Sequence, residues 1–352
     1  MAVKTYIGDS GGIARQVKKL YVGDSNGIAR EVKVLYAGDS GGAARKVFEK
    51  QEPGMWEISN KTGINSLIAY GAGAFITNNG NGYTFLRSTD GLNWTSFTVS
   101  ELNQLDHVQN IFYANNNFWL TVASNNGGAA STGDKRIGRS PDGVNWTISA
   151  SLPANTFLWT GMAYGNGTYV ILSFNNTQGT KQAAYSLDGG NTWKLTSLQT
   201  TANWKDITYG AGKFVAISQG VKGVAGDTFA YSTDGITWTS GTMPASAVWY
   251  KIAYGNGVFI ASASGKSYVG YSADGVNWTT KSLPVSKSWR TLVFGDGEFI
   301  MAGHGSNIAV HSKDGINWTQ SEMPASKNWL GNAYGDKRFV FTAASYAAVY
   351  SK

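Results

Sequence analysis

Ala253-Tyr254-Gly255-Asn256-Gly257-Val258-Phe259-Ile260-Ala261, followed by Tyr271-Ser272-Ala273-Asp274-Gly275-Val276-Asn277-Trp278-Thr279, holds the reading that decides the fold. The first stretch is an apolar strand, a tight Asn-Gly turn and a second apolar strand. The second stretch closes a third strand in a Ser-x-Asp-Gly turn, and a fourth begins at Trp-Thr. Asp can accept bonds from the turn backbone, Gly tolerates positive φ, Ser ties down the entering strand and Trp can pack between sheets.

The unit recurs. First-strand motifs stand at Ala69-Tyr70-Gly71, Phe112-Tyr113-Ala114, Ala163-Tyr164-Gly165, Thr208-Tyr209-Gly210, Ala253-Tyr254-Gly255, Val293-Phe294-Gly295 and Ala333-Tyr334-Gly335, seven in all. The turns number six, with Asp90, Asp142, Asp188, Asp234, Asp274 and Asp314 each followed by Trp94, Trp146, Trp193, Trp238, Trp278 and Trp318. Four short strands per period of about 40 to 52 residues is the pattern of a β-propeller. The mismatch of seven and six balances if the chain ends share a sheet. Met55–Ser59 then supplies a lone fourth strand beside the last unit, with Trp56 as seventh member of the Trp set and Tyr350 as its partner. The expectation is an all-β, seven-bladed propeller over residues 51–352, closed by its N- and C-terminal strands.

These turns resemble the Asp-box, or BNR, repeats of sialidase-like propellers, and Ser186-Leu187-Asp188-Gly189-Gly190-Asn191-Thr192-Trp193 fits the full form. The resemblance implies a fold and says little about activity, because the box is a structural device.

Residues 1–50 repeat differently, with a period of fifteen. Tyr6, Tyr21 and Tyr36 lead into Gly8-Asp9-Ser10, Gly23-Asp24-Ser25 and Gly38-Asp39-Ser40, then Ala14-Arg15, Ala29-Arg30 and Ala44-Arg45. Turn clusters separated by alternating residues read as a small antiparallel meander of three or four strands. These repeats are similar to short modules at the front of bacteriophage structural proteins, which implies attachment to other virion proteins or self-association.

Composition narrows the alternatives. The formal charge is +7, but residues 1–50 hold nine Lys/Arg against five Asp/Glu, leaving 20 against 17 elsewhere. Such dilution argues against nucleic acid as partner. Cysteine is absent, which removes disulfides and thiolate metal sites. The start carries no apolar run of the signal-peptide kind, and no stretch reaches the roughly 18 apolar residues of a membrane helix. Taken with the resemblance of the fifteen-residue repeats to phage modules, which implies a virion, the expected location is a virion assembled in a bacterial cytoplasm, without membrane insertion.

A sialidase would need three gathered arginines, a Tyr/Glu pair and an acid/base Asp. The propeller region has only Arg87, Arg136, Arg139, Arg290 and Arg338, and the first and third of these precede turn serines. His107, His304 and His311 lack metal-ligand spacing. The expectation is a non-enzymatic chain with no cofactor and no metal.

Another series, Trp159, Trp204, Trp249, Trp289 and Trp329, stands five residues before the first-strand Tyr or Phe. It reads either as packing between sheets or as a ligand face that stacks sugars. Unequal polar loops at Thr77–Tyr83, Ser124–Arg136, Ser173–Gln182 and Ser218–Thr228 are where variable recognition belongs. The functional expectation is a virion surface protein displaying its propeller to host carbohydrate or protein. A purely structural decoration or connector protein and a glycan-degrading enzyme are the rival readings.

Overall fold

The computed structural model describes residues 21–23, 29–31, 34–38, 44–49 and 56–351, apart from 60, 81, 105, 125–134, 154–157, 176 and 222–223. The chain divides into two compact units, with Trp56 opening the second.

In the first unit, Tyr21–Gly23 pairs with Ala29–Glu31 and Val34–Gly38 pairs with Ala44–Glu49. The registers Gly23↔Ala29 and Gly38↔Ala44 are one fifteen-residue period apart, so the second and third repeat copies pair in the same register. Among the described residues these are two two-stranded ladders. The first repeat copy lies outside the described residues.

From Trp56 onward the described residues pair as seven successive four-stranded antiparallel units. The first runs through Ile68–Gly71, Ala74–Asn78, Thr84–Ser88 and Thr95–Thr98. The strand Thr239–Gly255 is long because it serves as outer strand of the fourth unit and then as inner strand of the fifth. In the last unit Gly331–Gly335, Arg338–Ala343 and Tyr346–Ser351 are completed by Trp56–Ser59, in the register Tyr350↔Trp56 and Ala347↔Ser59. The two ends of the propeller sequence thus share one sheet.

One detail of the closure differs from the sequence reading. Opposite the residue before each turn serine stand Thr95, Thr147, Lys194, Thr239, Thr279 and Thr319. Trp56 occupies that register opposite Tyr350, one place beyond the box tryptophans. It still fills the gap to the preceding sheet, against Phe341 (5.6 Å between ring centroids), Tyr350 (5.1 Å) and His311 (6.4 Å).

The sheets stack face to face. Second strands such as Ala74–Asn78 are buried on both sides, while outer strands such as Lys194–Ala202 alternate toward solvent. A hydrophobic cluster fills the space between each successive pair of sheets. The cluster joining last to first contains Val340, Ala347 and Val349 with Phe75, Leu86 and Trp94.

Inner strands meet through small residues. The Tyr113 ring lies where a Cβ on Gly71 would sit, and the same relation holds for Tyr209 on Gly165, Tyr254 on Gly210, Phe294 on Gly255 and Tyr334 on Gly295. Tyr70 on Gly335 closes the circle. The Ala-Tyr-Gly motif is therefore a ring clasp, in which six of the seven aromatic side chains cover the glycine of the preceding sheet and Ala114 stands in that place in the second.

Candidate functional site

The box turns share one hydrogen-bond pattern. In the first, Ser88 Oγ donates to Asp90 Oδ1 (2.9 Å), the Gly91 amide to Ser88 Oγ (2.8 Å), and the Leu92 and Asn93 amides to Asp90 Oδ1 (2.9 and 2.8 Å). Trp94 Nε1 donates to Gly91 O at 2.8 Å. Asp142, Asp188, Asp234, Asp274 and Asp314 repeat the carboxylate arrangement. Trp146, Trp193 and Trp318 repeat the indole bond, whereas the buried Nε1 atoms of Trp238 and Trp278 have no protein partner. Burial pushes the Asp142 carboxyl upward, but bonds from the Asn145 and Val144 amides, the Asn145 side chain and Ser140 outweigh it and leave the group at about 2. These carboxylates are fully engaged in holding turns.

The five tryptophans weighed as a ligand face are core residues. Trp159 is 3% exposed and Trp204, Trp249, Trp289 and Trp329 are 0% exposed. Trp204, Trp289 and Trp329 donate from Nε1 to Thr180 O, Lys266 O and Ser306 O at 2.9–3.0 Å, the first residues of third strands or the turns leading to them. None can stack on a sugar, so the sugar-stacking reading is withdrawn and their packing role stands.

What these tryptophans position is more informative. The residue after Trp204 and the residue after Trp249 are extra residues in the ladder, since pairing slips between Trp204 and Asp206 and between Trp249 and Lys251. A similar slip lies between Val108 and Asn110. Bulges of this kind re-aim a side chain. Here Gln109, Lys205 and Tyr250 are the bulged residues, and all three line a cavity.

Two adjoining cavities of about 310 and 280 Å³ share Ser66, Leu67, Asn110, Phe112, Asp206, Lys251 and Leu330. Their walls come from inner strands of the last sheet and the first five, which places them along the propeller axis. Inner strands do not pair with one another, so side chains satisfy their facing backbones. Asn110 Nδ2 donates to Trp159 O (3.0 Å), Thr160 Oγ1 to Trp204 O (3.4 Å), and the Ile252 amide to Asp206 Oδ2 (3.0 Å).

One wall is cationic. Lys205 Nζ lies 5.1 Å from the Phe174 ring centre and 4.7 Å from that of Tyr250, and the Arg290 guanidinium lies 5.5 Å from Tyr250. Lys251 Nζ stands 3.6 Å from Asp206 Oδ1. Burial lowers the Lys205 ammonium to about 8; repulsion from Lys251 and Arg290 adds to this, and Asp206 opposes it. Burial and Arg290 likewise lower His304.

The unequal loops rise from the same rim. Their starting residues Ser124, Ser173 and Ser218 pair with Asp106, Trp159 and Trp204, where the inner strands begin. Residues 125–134, 176 and 222–223 within them lie outside the described residues. The other arginines are elsewhere: Arg136 pairs with Asp106, Arg338 with Asp336, and Arg139 bonds Gly189 O and Asn191 Oδ1 of the next box, each at 3.3 Å. Among the described residues no group of three or more His, Asp or Glu is placed to hold a metal ion.

No protein-family profile matches the sequence, and no curated protein matches it. Solved structures do share its architecture. A streptogramin B lyase superposes with a TM-score of 0.67 at 12% identity, covering 84% of this chain and 97% of that one. Virginiamycin B lyase from Staphylococcus aureus gives 0.67 at 13%, covering 84% and 98%. YCF48 bound to a D1 peptide gives 0.61 at 15%, covering 85% and 97%. At these identities the likeness is one of fold, and the fold is a β-propeller. The neighbours also correct the expectation of a non-enzymatic chain. Two of them are lyases, so the fold that this chain shares is one that carries catalysis in other proteins.

Proposed function

We propose that the chain is a surface-recognition protein of a virus particle, attached through residues 1–50 and binding a host surface ligand at the axial cavity of its propeller. The observation that carries this reading is the coincidence of the cationic, aromatic cavity wall with the rim bearing the unequal polar loops. A constant scaffold with variation gathered around one pocket is how repeat folds build recognition. The likeness of the fifteen-residue repeats to phage structural modules supports the virion setting. Binding of the intact chain to host cells tests it, with Lys205→Met and Lys251→Met as cavity variants. The reading expects cell binding that both variants weaken. Absence of cell binding together with incorporation into particles would favour a decoration or connector role instead.

A second reading has its own support. A lysine brought to about 8 inside a cavity is suited to accept a proton near neutral pH, and lyases share the fold. Turnover of a host surface polymer, lost in Lys205→Met, would establish it.

A further inference from the structure

We propose that Lys205 is a carbonyl-capturing lysine, whose amine condenses with the aldehyde of a small, flat, apolar ligand entering the axial cavity to give an imine. The cavity is the one read above as the recognition site, but this chemistry stands without a host ligand.

Position is the first consideration. Lys205 is the extra residue where pairing slips between Trp204 and Asp206, so the fully buried Trp204 anchors its backbone while Lys205 lines the cavity of about 280 Å³. Its Nζ lies 5.1 Å from the Phe174 ring centre and 4.7 Å from that of Tyr250, and both rings belong to the same cavity. Cation–π attraction to the two rings holds the nitrogen in place. An aldehyde carbon that reaches it arrives beside two aromatic faces, which suits a flat apolar ligand. The space is at the lower end of the roughly 300–1,000 Å³ typical of small-molecule sites, which limits that ligand to about one ring.

The surroundings of the amine are the second consideration. The one carboxylate lining this cavity, Asp206, accepts from the Ile252 amide (3.0 Å) and pairs with Lys251 Nζ (3.6 Å), so it is spent on a neighbour of Lys205. A lysine desolvated beside a second cation is drawn toward the neutral amine, and only the neutral amine carries the lone pair that attacks a carbonyl. Burial, with Lys251 and Arg290 adding to it and Asp206 opposing, brings Lys205 to about 8. About a tenth of such a group is neutral at pH 7, against less than about a thousandth of an ordinary lysine.

In the step itself the nitrogen lone pair bonds to the carbonyl carbon and the C=O π pair moves to oxygen. The carbinolamine then loses that oxygen as water, together with both amine protons, and nothing is oxidised or reduced.

Benzaldehyde with cyanoborohydride, which reduces an imine to a stable secondary amine, tests the assignment on the full chain at pH 8, with peptide mass spectrometry locating the label. Lys205 is expected to be benzylated at least tenfold more than the exposed Lys181, Lys194 and Lys313. Glyceraldehyde, polar and without a ring, should show a smaller preference for Lys205 over the same three. Labelling of Lys205 no greater than that of the exposed lysines overturns carbonyl capture, and because the assay uses no cells it leaves recognition to be judged by cell binding alone. A greater preference for Lys205 with glyceraldehyde than with benzaldehyde overturns the apolar ligand class.

Discussion

Lys205 bears the tension between stability and function. Its ammonium is desolvated between Phe174 and Tyr250 and faces Lys251, Arg290 and Asp206, which brings it to about 8. A folded value below the ordinary 10.4 or so means that the unfolded chain binds more protons between about pH 8 and 10.4. Stability contributed by this group therefore rises with pH across that window, while the positive charge offered to an anion is lost. Affinity for an anionic ligand should fall between pH 7 and 9 by an amount that Lys205→Met abolishes. The same substitution should raise stability at pH 7 by about 1–3 kcal/mol, because it removes a buried cation and keeps the stem volume. A lower melting temperature for Lys205→Met would show that the residue is structural. At the opposite end of the inner strands, Gly335→Val should cost about 1–3 kcal/mol by forcing Tyr70 off the glycine it covers. Valine is the informative choice, since the second sheet carries Ala114 at the equivalent place.

Among the elements, turns carry most of the local information. All seven inner hairpins place two consecutive residues at positive φ, such as Asn256 (47°) with Gly257 (81°) and Asp336 (46°) with Lys337 (58°). This is the turn that matches strand twist, and Gly adopts it at least cost. Lys337→Gly should therefore stabilise the last sheet by about 0.5–1 kcal/mol, read as a higher unfolding midpoint in urea. The box aspartates have folded values below the ordinary carboxylate range, so their stabilisation is present above about pH 4. It is lost as pH falls through the folded values, and acid unfolding should set in between about pH 4 and 2. Asp274→Ala should move that onset and lower stability at pH 7 by about 1–2 kcal/mol.

This division explains what was legible in the sequence. Box turns and Asn-Gly hairpins could be read because their bonds lie within a few residues, and the sheet count followed from Tyr and Trp spacing. The cavity could not. Its lining residues Thr160, Lys205, Tyr250 and Leu330 share a position, directly after a regularly placed Trp, but no residue type. The usable signal was that variability inside a fixed motif. The tryptophans are the constant part of that motif because they are buried. The bulge that turns Lys205 and Tyr250 toward the axis depends on pairing with Ser218 and Ser262, which spacing alone does not reveal.

At the scale of the molecule, the closing sheet joins distant segments. Ser59 Oγ donates to Leu92 O (2.6 Å), and His311 Nε2 lies 2.5 Å from Ser321 Oγ beside the Trp56 and Tyr350 rings. Deleting residues 1–60 removes the outer strand Trp56–Ser59 and should lower the melting temperature sharply. Deleting residues 1–50 should leave the propeller transition in place. Equal melting of the two truncations would mean that the shared sheet contributes little to closing the ring.

Recognition at the axial cavity and its rim, as proposed, would leave a local footprint on the inner strands. Hydrogen exchange on the full chain, with and without purified host surface polymer, tests this most directly. Added protection is expected at residues 204–206 and 249–252, with none at the box turns around Asp90 or Asp314. Protection confined to residues 1–50 or to the box turns would contradict it.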